Sequence, residues 1–335
     1  MMKKLALSLA FISLFSFGCQ QKLEEYSYEF YALDTVILIT LYAPDQRTAI
    51  DAFVAAENEV MRIYNLTDRF ALLNSPDPNQ SDIYRINQHP GESVEVSLDT
   101  LIMLKTALDI SDQSQGAFDV TVAPLMDLWD FMGKKYVPTN IELEELLHFV
   151  DYRQIQIDEE AKTVTINPGF GLDFGAIAKG YATDCAVKAL RQKGIKHALI
   201  NAGGNVYAIG EKPDGKPWRI GIRHPREDGE LLGVVEVVDQ AVVTSGDYER
   251  YFEENGLRYH HIVDPKTGFP ANTAYSVTIV SDTSMIADCL STAVFVMGRD
   301  SIQMIPMFPK TEALIMDDKG IATTIGFNSI FSFIE

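Results

Sequence analysis

The sequence predicts an α+β fold with a largely antiparallel sheet. Strand-like runs crowd the second half of the chain, and helices do not separate them at regular intervals. The composition is globular, with 47% hydrophobic and 22% charged residues in 335. Residues 30–42 (FYALDTVILITLY) are rich in β-branched and aromatic residues and predict a strand. Residues 45–64 predict a helix with Ala49, Phe53, Ala56 and Val60 on one face. The stretch 72–90 contains SPDPNQSD and NQHPGE, turn signals that predict loop. Residues 97–113 predict a second amphipathic helix with Leu98, Leu101, Leu104 and Leu108 inward. A short helix over 140–150 follows the breaker Pro138, and 152–157 with 163–167 predict a hairpin. A helix over 176–193 leads to a strand at 198–201, and Gly203-Gly204 turns the chain into a strand at 206–209. Strands are further predicted over 218–222, 233–238, 241–244, 258–263 and 275–280. A helix over 283–297 and a hairpin of 313–316 with 320–324 close the chain.

The charge narrows the function. Lys and Arg number 28 against 47 Asp and Glu, a net charge of −19. Nucleic acids and anionic membrane surfaces need a basic face, so neither is an expected electrostatic partner. An anionic ligand would need local neutralisation, for which a divalent metal is the natural candidate. The three cysteines, Cys19, Cys185 and Cys289, form no CxxC pair, which argues against a zinc knuckle or a disulfide scaffold. The N-terminus reads MMKK, then an apolar run over 5–17, then Gly18-Cys19 and the polar QQK. The run is shorter than the roughly 20 residues a bilayer span needs and suits a signal segment. Residues 1–18 are expected to be a lipoprotein signal peptide, with Cys19 as the lipid-modified terminus, 19–29 as a polar tether and 30–335 as the body. That places the protein in the cell envelope, lipid-anchored to a membrane on its extracytoplasmic face. An ordinary secretory signal with an incidental cysteine is the alternative.

Four segments could carry chemistry. In IVSDTSMIADCLSTAVFVMG, Thr283 or Ser284 is a candidate N-cap, and Asp288 and Thr292 lie four apart on one helix face. Two hard oxygens among small and apolar neighbours suit Mg²⁺, while a surface aspartate beside a threonine is the plainer reading. In GLDFGAIAKGYATD, Asp173, Gly175 and Lys179 fall at a helix start that could face a phosphate, or could simply be tightly packed. In RYHHIVDPKTGFP, His260 and His261 on a strand would point to opposite faces, so that one imidazole could act as a general base near neutral pH; a histidine that caps a hairpin is the alternative. In GAFDVTVAPL, Phe118 could stack on a ring and Asp119 accept from one, or they could be a core aromatic and a turn aspartate.

Taken in order, GAFDVTVAPL, DFGAIAKGYATD, INAGGN, TSGDYERYF, HIVDPKTG and SMIADCLSTAVFVMG resemble the ApbE family of bacterial FAD:protein FMN transferases. The resemblance spans about residues 30–325. It implies antiparallel sheets of the T-fold kind flanked by helices, and an envelope location. It also implies a Mg²⁺-dependent reaction that splits FAD, moves FMN onto a Thr or Ser hydroxyl of a target protein and releases AMP. Carried over residue by residue, it implies Asp288, Thr292 and the Ala176 carbonyl as metal ligands. Leu33, Phe70, Ala117, Phe118, Asp119, Asp173, Lys179 and Ile262 fall at flavin-nucleotide positions. His261 falls at the active-site histidine, leaving His260 dispensable. Leu33-Asp34-Thr35 stands where the family has Met-Gly-Thr, and Phe70 where an aromatic, commonly Tyr, packs on the isoalloxazine. Acceptors of the family include subunits of Na⁺-translocating NADH:quinone reductase and Rnf-type complexes. A periplasmic FAD pyrophosphatase on the same scaffold and a non-catalytic flavin-binding lipoprotein are competing expectations; the intact Asp288, Thr292 and His261 argue against the second.

Overall fold

The computed structural model describes residues 22–70, 81–131, 133 and 135–334. The expected signal segment and Cys19 lie outside the described residues. The chain is already in a strand, β1 (Glu24–Ala32), within the stretch expected to be a tether. It pairs with β2 (Thr35–Ala43), so the single predicted strand over 30–42 is in fact the centre of a hairpin. The reversal uses Leu33 and Asp34, both at positive φ (52° and 56°). Two-residue hairpin turns favour this backbone, but Asn-Gly is its usual sequence signal, and Leu-Asp gives no such warning.

Helix α1 (Gln46–Thr67) starts where Asp45 accepts from the Thr48 amide at 2.8 Å. Its Ala49, Phe53, Ala56 and Val60 are buried as the 3.6-residue period requires. The stretch expected to be loop contains α2 (Asp82–Gln88), capped by Ser81. Next come β3 (Val94–Glu95) and α3 (Leu98–Gln113), which buries Leu101 and Leu104 but leaves Leu98, at the first helical position, 62% exposed. Helices α4 (Ala123–Trp129) and α5 (Asn140–Leu147) follow; a capping box between Thr139 and Glu142 starts α5. Strands β4 (Gln156–Asp158) and β5 (Thr163–Thr165) join β3 in a small sheet, and a 3₁₀ turn over Tyr152–Gln154 takes the first part of the predicted strand.

Helix α6 (Ala178–Gln192) leads into β6 (Ala198–Ala202) and β7 (Asn205–Ile209), joined at Gly203 and Gly204, both at positive φ. The remaining strands are β8 (Trp218–Arg223), β9 (Leu231–Val237), β10 (Gln240–Gly246), β11 (Tyr251–Glu254), β12 (Leu257–His260), β13 (Ser276–Ser281), β14 (Glu312–Asp317), β15 (Gly320–Thr323) and β16 (Phe331–Phe333). Helix α7 (Ser284–Met297) separates β13 from β14. The main sheet runs β1-β2-β6-β7-β10-β13-β14-β15, with every neighbouring pair antiparallel.

One face of that sheet packs against α1, α6 and α7. Ile37, Ile39, Ile200, Val243 and Ile279 are fully or almost fully buried there beside Leu290 and Val294 of α7. Each such aliphatic side chain contributes roughly 1.5–3 kcal/mol relative to exposure. The other face is covered at β7, β10, β13 and β14 by the three-stranded sheet β16-β9-β8, through Trp218, Ile220 and Val235. A third cluster around Trp129, Leu143, Phe252 and Val263 anchors α4 and α5 to the β11–β12 hairpin, and Trp129 Nε1 donates to Gly268 O at 2.7 Å. The site residues lie between these layers, at the start of α6, on α7 and in the segment after β12.

Candidate active site

Helices α6 and α7 meet at Gly180. A Cβ there would lie 2.5 Å from Ser284 O, 2.7 Å from Met285 Cα and 2.8 Å from Asp288 Cβ, so only glycine allows this approach. Asp288 is 4% exposed, and its Oδ2 accepts from the Gly180 amide at 2.9 Å. Its Oδ1 lies 3.7 Å from Lys179 Nζ, which also donates to Gly175 O at 3.2 Å. In a regular helix start the Gly180 amide would donate to the Ala176 carbonyl. Because Asp288 takes that donor, no backbone amide among the described residues reaches Ala176 O. The Thr292 hydroxyl, one turn beyond Asp288, has no hydrogen bond among the described residues either.

The predicted capping of α7 is different in kind. Thr283 occupies the N-cap position, but its side chain makes no cap bond. The carboxylate of Asp184 on α6 accepts from the Ser284 and Met285 amides at 2.8 and 2.9 Å. Desolvation lifts Asp184 to about 6, opposed by those two amides.

Asp173 sits in the turn before α6. Its Oδ1 accepts from the Gly175 amide at 2.7 Å, and its Oδ2 pairs with Arg69 Nε at 2.9 Å. Arg69 also reaches Asp127 at 2.8 Å and lies 4.1 Å over the Phe70 ring. Phe70 is 52% exposed, so one face of an aromatic is offered at the surface beside the Asp173 turn. Arg69 was not among the predicted site residues; the adjacent Asp-Arg-Phe was the signal available in the sequence.

Of the two readings of Phe118 and Asp119, the structure has the core aromatic and the turn aspartate. Phe118 is 2% exposed and belongs to the main core with Ala117, so its ring is packed among apolar side chains. Asp119 accepts from the Thr121 amide and hydroxyl through Oδ1 and from the Tyr152 amide through Oδ2. Burial raises its pKa against those donors. The carboxylate ties two loops together, and the Val120 carbonyl next to it accepts from the Asp173 amide at 2.8 Å. The triplet thus supports the Asp173 turn by its backbone course.

The histidines also differ from the strand reading. Strand β12 ends at His260, so the two imidazoles are not set by strand alternation. His260 is 4% exposed; its Nε2 lies 2.7 Å from Ala271 O and its Nδ1 3.3 Å from the Ile262 amide. A carbonyl on one side and an N–H on the other require the proton on Nε2. The ring packs edge-on against Phe295 of α7. His260 is therefore a structural clasp rather than a dispensable outward residue. The His261 amide donates to Arg250 O at 3.1 Å, and His261 Nδ1 is enclosed without a hydrogen-bond partner among the described residues. Burial, with the charges of Arg250 and Lys179, holds its pKa at about 3 rather than near neutrality. Ile262 is 5% exposed, in the core behind it. Arg250 reaches Asp34 O at 3.4 Å, which brings the Leu33-Asp34 turn to this end of the site. Leu33 is 8% exposed, and Thr35 fills the space a Cβ on Gly203 would need.

The oxygens left without donors, Asp288 Oδ1, Thr292 Oγ1 and Ala176 O, are hard ligands, and a set of few protein oxygens fits Mg²⁺, which keeps much of its shell for water and phosphate. Among the described residues no group of three or more His, Cys, Asp or Glu could hold a metal. Cys185 and Cys289 are free, and burial raises both thiols. Two shallow depressions of about 460 and 490 Å³ open around Arg191, Tyr207 and Asp282, and neither includes a predicted site residue.

The profile of the ApbE family matches residues 33–315. The chain is 34% identical over 331 residues to the FAD:protein FMN transferase of Treponema pallidum, covering 93% of this chain and 90% of that protein. It is 36% identical over 279 residues to the FAD:protein FMN transferase of Klebsiella pneumoniae, covering 82% and 83%. Among solved structures, the ApbE protein of Thermotoga maritima superposes with a TM-score of 0.82 at 36% identity, over 92% of this chain and 99% of that one. The flavin transferase ApbE of Vibrio cholerae superposes with 0.79 at 28% identity, over 92% and 100%.

Proposed function

This chain belongs to the ApbE family, and from that premise we propose that it is an FAD:protein FMN transferase that moves FMN from FAD onto a Thr or Ser hydroxyl of an acceptor protein and releases AMP. The observation that carries the reading is the set of oxygens that accept no hydrogen bond at the α6–α7 crossing, with Lys179 Nζ 3.7 Å from Asp288 Oδ1. Asp288, Thr292 and the Ala176 carbonyl would hold Mg²⁺, which when bound neutralises pyrophosphate charge that a protein of net charge −19 would otherwise repel. Lys179 adds a positive charge from the chain itself, and Arg69 orients Asp173 beside the exposed Phe70 ring.

In the proposed step the acceptor oxygen attacks the phosphorus of the FMN half. The new O–P bond forms as the P–O bond to AMP breaks. The hydroxyl proton passes to the imidazole of His261, whose Nδ1 has no hydrogen-bond partner among the described residues. Water in place of the acceptor would give FMN and AMP, so the transferase and the pyrophosphatase share this centre. Anchoring by Cys19 on the extracytoplasmic side of a membrane, and acceptors among subunits of Na⁺-translocating NADH:quinone reductase or Rnf-type complexes, complete the proposal.

The test is incubation with FAD, Mg²⁺ and a candidate acceptor domain, followed by intact mass. An acceptor heavier by FMN less water supports transfer. AMP and FMN without labelling support the pyrophosphatase, and neither product supports a flavin carrier.

A further inference from the structure

Neither of the two crossing helices caps itself. Ile177 and Thr283 hold the N-cap positions of α6 and α7, and neither side chain makes a cap bond. Each helix is capped instead by an aspartate of the other. Asp184 of α6 accepts from Ser284 and Met285, the first two residues of α7, and Asp288 of α7 accepts from Gly180 in the first turn of α6. The arrangement is reciprocal: each aspartate lies one helical turn beyond the residue whose amide the other captures. First-turn amides have no partner inside their own helix and favour a carboxylate, so both contacts are of the strong kind. The two aspartates differ in what they leave over. Asp184 spends both oxygens on amides, whereas Asp288 spends one and keeps Oδ1.

We propose that Asp184 is the positioning residue of the metal centre: it locks α7 against α6 in the register that turns Asp288 onto the Gly180 amide and leaves Asp288 Oδ1, Thr292 and the Ala176 carbonyl free for the cation. The inference rests on the reading of those three groups as Mg²⁺ ligands. Without Asp184 the start of α7 has no cap, and Asp288, one turn further on, loses its fixed height along α6. The Gly180 amide can then return to Ala176 O and withdraw that oxygen.

The test compares the full chain with Asp184→Ala, Asp184→Ala/Thr283→Asp and Asp288→Ala. Thr283→Asp supplies a local cap to α7 without tying it to α6. Two quantities are read: the rise of Tm on titration with MgCl₂, and the Mg²⁺ half-saturation of transfer. Loss of an outer-shell contact is expected to weaken Mg²⁺ by about 10–100-fold in Asp184→Ala. The double variant should regain Tm in the absence of Mg²⁺ while its Mg²⁺ response stays weak. If the double variant regains Mg²⁺ response along with Tm, Asp184 is a helix cap only and the inference is overturned. The same holds if Asp184→Ala responds to Mg²⁺ as the unaltered chain does while Asp288→Ala does not. If Asp288→Ala also responds normally, the ligand assignment itself fails and takes the inference with it.

Discussion

The two ends of the candidate site are held by different means. At the helix end, two helices cross at a glycine, and carboxylates grip backbone amides across the crossing. At the histidine end, the segment that follows β12 is held by His260, whose Nε2 donates to the Ala271 carbonyl and whose Nδ1 accepts from the Ile262 amide, and by the His261 amide, which donates to the Arg250 carbonyl. Helical spacing orients the side chains of the first, and tertiary contacts orient those of the second. A substitution at the helix end should therefore act mainly through charge and register, and one at the histidine end through the shape of a loop.

The largest expected effect is that of Asp288→Asn. The amide can still accept from Gly180, so the fold should keep its Tm, but the charge on the free oxygen is gone and labelling of the acceptor should fall below detection. Transfer at the normal rate would break the helix half of the comparison. Next is His261→Ala, which should slow transfer by about 10²–10⁴-fold if the imidazole is a general base, with FAD binding retained. Because burial holds this group at about 3, the transfer rate of the unaltered chain should show no imidazole titration between pH 5 and 8. The folded pKa lies below the ordinary 6.5, so the folded state disfavours the charged ring. Stability from this group is present above 6.5 and is lost as pH falls from there toward 3. A step in the rate near 6.5 that disappears in His261→Ala would show the ring to be open to water.

Gly180→Ala sharpens the contrast. Its Cβ meets backbone atoms of α7 at 2.5 and 2.7 Å, which cannot rotate away, so stability should fall by about 1–3 kcal/mol and Mg²⁺ half-saturation should rise with it. His260→Ala should cost a similar or smaller amount, about 1–3 kcal/mol, by unpairing a buried carbonyl. Here Tm and the transfer rate should fall while Mg²⁺ half-saturation stays put. Equal effects of the two variants on Mg²⁺ would mean that the ends are one unit.

The same contrast explains what could be seen in the sequence. The α6 and α7 helices and the four-residue spacing of Asp288 and Thr292 follow from periodicity, and the structure has them, whereas the approach of Lys179 to Asp288 is a contact between two helices that no spacing within either one fixes. The β1–β2 reversal was hidden because Leu-Asp carries no turn signal. Helix α2 was hidden because a seven-residue helix inside a turn-rich stretch leaves little period to read. Phe118 and Asp119 looked available because burial is a tertiary property. His260 and His261 were placed by strand alternation, which stops applying at the residue where β12 ends. Arg69 was missed since its role depends on Asp173 and Asp127, both remote in the chain.

The reciprocal capping has a consequence in time. The Gly180–Asp288 and Asp184–Ser284 contacts span 108 and 100 residues, and between them the chain must lay down β6 through β13. Contacts of such separation form only after intervening segments have collapsed, because loop closure must precede any gain from them. The oxygens at the crossing thus depend on long-range closure: a chain whose sheet has not formed holds neither aspartate on the amides of the other helix, and the arrangement belongs to the whole fold rather than to either helix alone.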